Sequence, residues 1–276
     1  MTSLEKRSSF SLASIYALRM LGLFLILPVF AVHAKSMPGG DSATLVGLAL
    51  GMYGLTQAFG QIPFGMASDK FGRKRIIIIG LILFAIGSLI AAGANHIIWI
   101  IVGRAVQGAG AVSAAVTALI ADSTREEHRT KAMAMIGATI GITFALSLMG
   151  APILNRLIGV PGIFMLTSFL SLSAILVVRF VVPTPLTINT SKTLKEPPPS
   201  FKSILKNTQL SRLNFGIFAL HAAQMAMFIV VPIALATSGG LDVNQHWKVY
   251  LPVLLSSFVV MVPIIIVSEK FNKSKL

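Results

Sequence analysis

Long apolar stretches constrain the fold of this 276-residue chain more than any other feature of its sequence. A helix needs about 20 mostly apolar residues to cross a bilayer core of about 30 Å. One such run also occurs as a buried helix in a soluble protein, but a succession of them separated by short polar turns is typical of a membrane protein. We therefore predict an all-α membrane protein with eight spans, at approximately residues 11–33, 44–66, 76–95, 97–121, 131–153, 160–182, 212–236 and 248–267.

The composition excludes several other classes of protein. Hydrophobic residues make up 55% of the chain and charged residues 12%, against about 25% charged residues in a typical soluble domain. The sequence has no cysteine, so it offers no disulfide, thiol nucleophile or zinc–thiolate site. The formal net charge is +14, but the basic residues interrupt apolar runs instead of clustering on a soluble face, so we predict no nucleic-acid partner. A nucleotide-binding Walker loop is also lacking, and we predict neither an enzyme nor a bound cofactor or metal.

The distribution of lysine and arginine among the turns predicts the orientation of the spans. If the N-terminus is cytoplasmic, eighteen basic residues lie on the inner side of the membrane. Only Lys35, Arg156 and Lys248 lie on the outer side. Cytoplasmic loops of membrane proteins are enriched in Lys and Arg, so we predict that both termini are cytoplasmic.

A degenerate internal repeat predicts two related halves. Residues 63–75 align without a gap on residues 263–275, and residues 24–28 resemble residues 228–232. Duplication at this period is typical of two-halved membrane transporters. Because the second copy lies at the end of the sequence, we expect this chain to hold one full half and the opening part of another.

The only long polar segment, residues 183–210, predicts the boundary between these halves. It contains the run Pro197–Pro199, and proline removes backbone donors and stiffens the chain. We predict an N-terminal six-helix bundle over 1–182, a cytoplasmic linker over 183–210, and the first two helices of a second, incomplete bundle over 211–276.

The loop between the second and third predicted spans, Gly65–Arg75, carries the most distinctive motif. Gly65 and Gly72 permit a tight reversal and a close approach between helices. Asp69 lies near the end of one helix, where it can meet an arginine or the positive N-terminal end of another helix. A loop that only sets topology needs basic residues alone, so the spacing of glycine, aspartate and arginine indicates a further role.

This loop resembles that of the major facilitator superfamily, which typically reads G-x-L-x-D-r-x-G-r-k; here Met66 and Ala67 occupy the middle positions. In that superfamily two six-helix halves pack around a central cavity, and the loop is a latch that favours the outward-facing state. The resemblance implies an incomplete form of the superfamily's twelve-helix fold. It also assigns the latch to Gly65, Asp69, Gly72, Arg73 and, at the inner end of the fourth span, Asp122.

A second motif surrounds Arg104, about seven residues inside the fourth predicted span. A charge at that depth is costly and normally faces a cavity or a partner, so Arg104 is a functional candidate. Gln107 lies one turn further in, on nearly the same helix face. The segment resembles the span-four arginine motif of proton-coupled drug antiporters, which implies a role in proton coupling. The alternative is a structural arginine that binds neighbouring carbonyl groups.

Arg19 lies at a comparable depth in the first predicted span, and the family resemblance implies that it and Arg104 form a positive wall of the cavity. No Asp or Glu occurs deep within any predicted span, although proton-coupled carriers usually have a titratable group there. This absence either argues against the antiporter assignment or moves the coupling role elsewhere, to helices beyond this sequence or to His221 in the seventh span. His221 forms a candidate polar pair with Gln224. The alternative is that His221 is a packing residue.

Glycines provide two further expectations. Gly47, Gly51 and Gly54 on the second span are expected to serve close helix packing, with no role in binding a ligand. In the fifth span, the segment around Gly150-Ala-Pro152 partly resembles the antiporter signature of the superfamily, which favours antiport over symport.

These observations predict a secondary active transporter of the bacterial inner membrane. By alternating access, it would export small organic compounds under a proton gradient. Its expected partners are a small-molecule substrate, the proton gradient and the lipid bilayer. The alternative is a truncated, non-transporting fragment or remnant of such a carrier.

Overall fold

The computed structural model describes residues 1–110, 112–183 and 207–270. In those ranges the chain is helical, without strands, and a π-helical turn at Val177–Val181 and a 3₁₀ turn at Val243–Gln245 accompany the α-helices. The α-helices are α1 Ser3–Phe24, α2 Leu27–Ala34, α3 Ala43–Phe71, α4 Arg73–Ala92, α5 Ile97–Ala109, α6 Ser113–Ser123, α7 Glu126–Leu176, α8 Thr208–Thr237 and α9 Trp247–Lys270.

The helices match the predicted spans, with breaks that the sequence did not predict. The first span is divided into α1 and α2, and the fourth into α5 and α6, where the α5 helix ends at Gly110. The fifth and sixth spans both lie in α7, whose backbone breaks at Gly159 (φ 66°, ψ 176°). Within the described ranges, six helices are long and apolar enough to cross a membrane. One of them, Glu126–Val181, contains both the fifth and the sixth predicted spans. Helix α9, which contains the eighth predicted span, is not among the six.

The α1–α7 helices form a bundle with two apolar cores. Helix α1 packs against α7, while α5 packs against both α3 and α4. One core contains Leu12 and Ile77 with residues from both arms of α7, so these arms lie side by side. The other contains Phe30 and Phe164. Along α1, α4 and α5 the two cores are separated by a layer that contains Arg19, Phe84 and Arg104.

Helices α8 and α9 attach to this bundle through few contacts. The α8 helix contacts α2 and α3, and α9 contacts α7. The one buried residue of α8 is Pro232. An aromatic cluster joins α8 to the bundle: the Phe144 ring lies 5.1 Å from that of Phe24 and 5.9 Å from that of Phe228. Phe24 and Phe228 are equivalent positions of the internal repeat, so one aromatic ring of α7 contacts both copies.

The structure modifies the predicted boundary between the halves. Helix α8 begins at Thr208, with Asn207 as its N-cap, so its first turn lies inside the predicted linker 183–210. Most of that linker, residues 184–206, lies outside the described residues, as do residues 271–276 at the end of the second copy of the loop.

The prediction that Gly47, Gly51 and Gly54 serve close helix packing is wrong for Gly51 and Gly54. A Cβ on Gly47 would meet the Ile229 side chain at 3.9 Å, an ordinary contact distance. No atom lies within 4 Å of an ideal Cβ on Gly51 or Gly54, because both glycines border an open cavity. Close packing occurs between α4 and α5 instead: a Cβ on Gly103 would lie 2.7 Å from the Gly87 carbonyl oxygen. Helices α4 and α5 therefore approach each other closely next to Arg104.

Candidate functional site

The structure brings Asp69, Arg73 and Asp122 together at one end of the bundle. Arg73 forms an ion pair with Asp69, four residues earlier in the chain. Its Nε atom donates to Asp122 Oδ2 at 3.0 Å, and a terminal nitrogen donates to Ser68 Oγ at 2.7 Å. Arg73 thereby connects the α3–α4 turn to the end of α6.

Gly72 makes this geometry possible. It is the only residue between α3 and α4, and its φ of 97° lies in a region that side-chain-bearing residues rarely adopt. Gly65 plays a smaller part, since its Cβ position lies 3.7 Å from the Ala114 side chain, an ordinary contact distance. The turn therefore requires glycine at residue 72 more strictly than at residue 65.

The Arg73 ion pairs are suited to repeated breaking and re-formation. The side chains of Asp69 and Asp122 are 63% and 46% exposed, whereas that of Arg73 is 21% exposed. Exposed ion pairs contribute about 0–1 kcal/mol each. Each of these ion pairs is therefore a weak contact between helices.

A second ionic contact at the same end of the bundle was missed in the sequence. Glu5 is 6% exposed and accepts hydrogen bonds from the backbone N–H and the Nε of Arg125, at 3.1 and 3.0 Å. Glu5 also completes a capping box with Thr2, the N-cap of α1. Glu5 lies ahead of the first predicted span, and hydrogen bonds from Arg125 and Thr2 hold its pKa well below the usual range for glutamate.

Arg104 is 2% exposed and points into the bundle. Its Nε donates to the carbonyl oxygen of Ala49 at 3.3 Å, and one terminal nitrogen donates to that of Leu50 at 3.4 Å. The other terminal nitrogen donates to Gln107 Oε1 at 3.1 Å. All three acceptors are neutral, so these hydrogen bonds hold the guanidinium in place without offsetting its positive charge.

Gln107 lies behind Arg104 and is fully buried. Its Nε2 donates to Ser88 Oγ at 2.7 Å, and Ser88 in turn donates to the Phe84 carbonyl. The close approach of Gly87 and Gly103 places these groups within reach of one another. Gln107 was predicted as a cavity or coupling residue. It does not line the cavity that Arg104 borders, and its side-chain oxygen accepts a hydrogen bond from Arg104.

Arg19 is 1% exposed and also has neutral partners. Its terminal nitrogens donate to Ser113 Oγ at 3.0 Å, to the Tyr53 hydroxyl at 2.6 Å and to Gln57 Oε1 at 3.3 Å. The two buried arginines meet at Tyr53, because the Arg104 guanidinium carbon lies 4.9 Å from the centre of that ring. Tyr53 therefore contacts both cations.

A cavity of about 520 Å³ lies between this layer and α8. Its polar lining includes Tyr53, Gln57, Gln61, Arg104 and His221. Arg19 is not among the lining residues and lies behind Tyr53 and Gln57. The sequence pattern that identifies this wall is the spacing of Tyr53, Gln57 and Gln61, four residues apart on one face of an apolar helix.

His221 and Gln224 do not act as a pair in the structure. His221 lines the arginine-containing cavity, and its Nδ1 lies 2.9 Å from the Ile217 carbonyl oxygen. Gln224 lines a second, apolar cavity of about 360 Å³ between α7, α8 and α9. The two side chains therefore face different spaces. No group of three His, Asp or Glu side chains suited to a metal ion occurs in the part of the chain that the structure describes.

Comparison with known proteins gives a consistent family match. The family model of the Major Facilitator Superfamily matches residues 12–275. The chain is 44% identical to the inner membrane transport protein YajR of Escherichia coli (strain K12) over 275 residues, which are 100% of this chain and 60% of that protein. Its match to the quinolone resistance protein NorA of Staphylococcus aureus (strain Mu50) is 33% over 128 residues, or 46% of this chain and 32% of that protein. The chain thus spans less than two thirds of the length of either relative.

The fold is also similar to solved structures. One is a bacterial homologue of the human lysosomal transporter Spinster in an inward-facing, unoccupied conformation. The TM-score is 0.73 at 16% sequence identity, covering 99% of this chain and 64% of that one. At that identity the likeness concerns the fold alone.

Proposed function

The chain belongs to the major facilitator superfamily of transporters, and on that premise we propose that it exports small organic compounds by proton-driven alternating access. Membership in this family, together with apolar helices long enough to cross a membrane, makes it a multi-pass membrane protein. The substrate class, the proton coupling and the bacterial inner-membrane location with cytoplasmic termini belong to the proposal.

The cavity beside Arg104 is the observation that carries this proposal. Small-molecule sites are concave, mostly apolar and about 300–1,000 Å³ in volume, with a few polar groups that orient the ligand. The space of about 520 Å³ between the bundle and α8 has this character. It also lies at the junction of the two repeat-related parts, where carriers with internal repeats bind substrate.

The names of two relatives that match part of the chain support export. The quinolone resistance protein NorA and the multidrug resistance protein 2 of Bacillus subtilis (strain 168) each match slightly less than half of it. Drug resistance by a membrane carrier requires removal of an organic compound from the cell, and we extend that direction of transport to this chain.

His221 is the group proposed to exchange the proton. Arginine keeps its charge in proteins, so Arg104 and Arg19 do not release protons. Histidine is the side chain whose ordinary pKa lies closest to physiological pH. His221 lines the same cavity as Arg104, so a proton on His221 and a bound substrate would influence each other directly.

The Arg73 cluster is proposed to bias alternating access. It ties the α3–α4 turn to α6 at one end of the bundle, through contacts weak enough to open in each cycle. Breaking it would lower the population of one conformation and slow turnover, with less effect on substrate affinity.

Inverted membrane vesicles test this function. With a proton gradient monitored by acridine orange quenching, addition of norfloxacin, a quinolone, is expected to release part of the quench through proton exchange. His221→Gln should abolish the release, whereas the control His33→Gln, which alters a histidine in α2, should retain it. A release that persists in His221→Gln contradicts the coupling role, and the same release in vesicles without the protein contradicts the transport function.

The alternative is a membrane protein without transport activity of its own. It is favoured by the sparse attachment of α8, whose one buried residue is Pro232. In purified proteoliposomes this alternative predicts no gradient-dependent movement of norfloxacin at any pH, although the protein inserts normally.

A further inference from the structure

We propose that the compounds bound in the cavity beside Arg104 are apolar organic anions, whose carboxylate or sulfonate group is held by Arg104 with the charge of Arg19 behind it. The inference rests on the transport function proposed above and names its substrate class. It depends on the finding that the recorded hydrogen-bond partners of both buried arginines are neutral.

Among the described residues, no carboxylate forms an ion pair with Arg19 or Arg104. None of the acidic residues lies within a predicted span. They are Glu5, Asp41, Asp69, Asp122, Glu126, Glu127, Glu196, Asp242 and Glu269. Buried charges in proteins are ordinarily paired, so two cations without an anion in one apolar bundle indicate that an anion comes from outside the chain.

The hydrogen bonds made by both guanidinium groups leave room for such an anion. Arg104 has five N–H donors and three recorded acceptors, two of them backbone carbonyl oxygens. Arg19 Nε is buried and has no hydrogen-bond partner. Both groups are therefore positioned by neutral contacts that do not use their full donor capacity or offset their charge.

The cavity wall presents these charges to a ligand. Arg104 lines the cavity directly. Arg19 acts through the wall residues Tyr53 and Gln57, to which it donates hydrogen bonds. A donor that receives a hydrogen bond from a cation is polarised towards its own acceptor, so the Tyr53 hydroxyl becomes a stronger donor to an anion in the cavity.

The remaining lining limits the ligand to one with an apolar body. Most of the other lining side chains are aliphatic or aromatic, including Met20, Leu23, Phe24, Leu27, Ile140 and Met225. Inorganic phosphate would meet the arginine wall but leave these surfaces unfilled, and an organic cation would be repelled by Arg104. A ring-sized anion satisfies both the charge and the apolar surface.

Three probes with one ring system test the charge preference: 2-naphthoate, 2-naphthamide and 2-naphthylmethylamine. Binding of tritiated 2-naphthoate to the purified chain in phosphatidylcholine nanodiscs is measured by scintillation proximity, with empty nanodiscs as background. We expect 2-naphthoate to bind about tenfold or more tightly than 2-naphthamide, the difference of one charge-assisted hydrogen-bond pair. The amine and inorganic phosphate should compete weakly or not at all.

Two variants test the assigned residues. Arg104→Met removes the wall cation, and Gln57→Glu places a carboxylate beside Arg19 while keeping the oxygen that accepts its hydrogen bond. Both should weaken 2-naphthoate binding by about tenfold or more, and Gln57→Glu should also raise affinity for the amine. Because Gln57→Glu pairs a buried charge, it is expected to fold even if Arg104→Met does not. Gln224→Glu, in the second cavity, is the matched control and should leave binding unchanged.

The outcomes separate this inference from the transport function. Equal affinity for naphthoate and naphthamide, no binding above empty nanodiscs, or unchanged naphthoate binding in Gln57→Glu would overturn the anion assignment. Proton-linked transport of norfloxacin without any preference for anions would leave the transport function standing and remove this inference. Selective naphthoate binding without gradient-dependent transport would support the anion assignment and contradict the transport function.

Discussion

Arginine occupies two very different settings in this molecule. In the middle of the bundle, Arg19 and Arg104 are buried and donate to hydroxyl, amide and carbonyl oxygens. At the end of the bundle, Arg73 and Arg125 are partly exposed and pair with carboxylates. Arginine thus has only neutral partners in the interior of the bundle, whereas at its end arginine is paired with carboxylates.

The difference between the two settings indicates different tasks. A paired, exposed arginine contributes a weak and reversible contact between helices. A buried arginine without a counter-charge is costly in a membrane protein and is normally retained for function. Under the proposed function, the end of the bundle would serve conformational change and the middle layer would serve binding.

The largest effect is expected from forcing α4 and α5 apart beside Arg104. In Gly103→Ala, the new methyl group would lie 2.7 Å from the Gly87 carbonyl oxygen and 2.8 Å from the Ala91 nitrogen. Overpacking of this kind costs about 1–3 kcal/mol. The control Gly51→Ala introduces the same methyl group where no atom lies within 4 Å. Size-exclusion chromatography after heating should show a lower melting temperature for Gly103→Ala alone; equal stability of the two variants would contradict the close approach.

A smaller effect is expected at the Glu5–Arg125 contact. Glu5→Gln removes the charge that accepts from the Arg125 backbone and side chain, whereas Glu127→Gln makes the same change at a 63% exposed partner of the same arginine. Glu5→Gln should lower the melting temperature more than Glu127→Gln. A larger decrease in melting temperature for Glu127→Gln than for Glu5→Gln would show that burial does not strengthen the Glu5 contact.

The Glu5 contact also predicts a pH dependence. Its pKa in the folded state is depressed below the ordinary 4.5, so its contribution to stability is complete above that value and declines as the pH falls below it. The wild-type chain and Glu127→Gln should therefore lose stability with acidification more steeply than Glu5→Gln, as measured by melting temperatures between neutral pH and pH of about 3. Parallel pH curves for all three proteins would contradict the assignment.

The smallest effect on stability is expected at the Arg73 cluster. Asp69→Asn and Asp122→Asn each remove one exposed ion pair with Arg73, at a cost of about 0–1 kcal/mol. If the cluster is a latch, turnover of norfloxacin in inverted vesicles should nevertheless fall while its half-saturating concentration changes little. Normal turnover in both variants would remove the latch role and leave a simple surface contact.

Local sequence patterns predicted much of this molecule because they depend on near neighbours. The run of apolar residues predicted helices of membrane-spanning length, and Gly72 between two such runs predicted the sharp turn that its φ of 97° requires. The depth of Arg19 and Arg104 predicted side chains turned inward, and both are buried. The family resemblance is confirmed by the family match over residues 12–275.

Contacts between distant residues were less predictable. Glu5 and Arg125 are 120 residues apart, and the capping box at Thr2 indicates a helix start without indicating what else Glu5 binds. Gly51 and Gly54 of α3 meet no atom within 4 Å, whereas Gly103 and Gly108 of α5 meet another helix closely. His221 and Gln224 share a helix face but line separate cavities.

The sequence by itself determined that the chain is a helical membrane protein with a repeated loop motif and two deep cations, because hydropathy, glycine conformation and the cost of a buried charge act locally. Only the tertiary structure decided what those cations meet. Arg19 of α1 and Arg104 of α5 converge on Tyr53 of α3, and Gly108 lets α5 approach the Tyr53 backbone closely. The partner of a side chain depends on helix packing over the whole bundle, and no single segment carries that information.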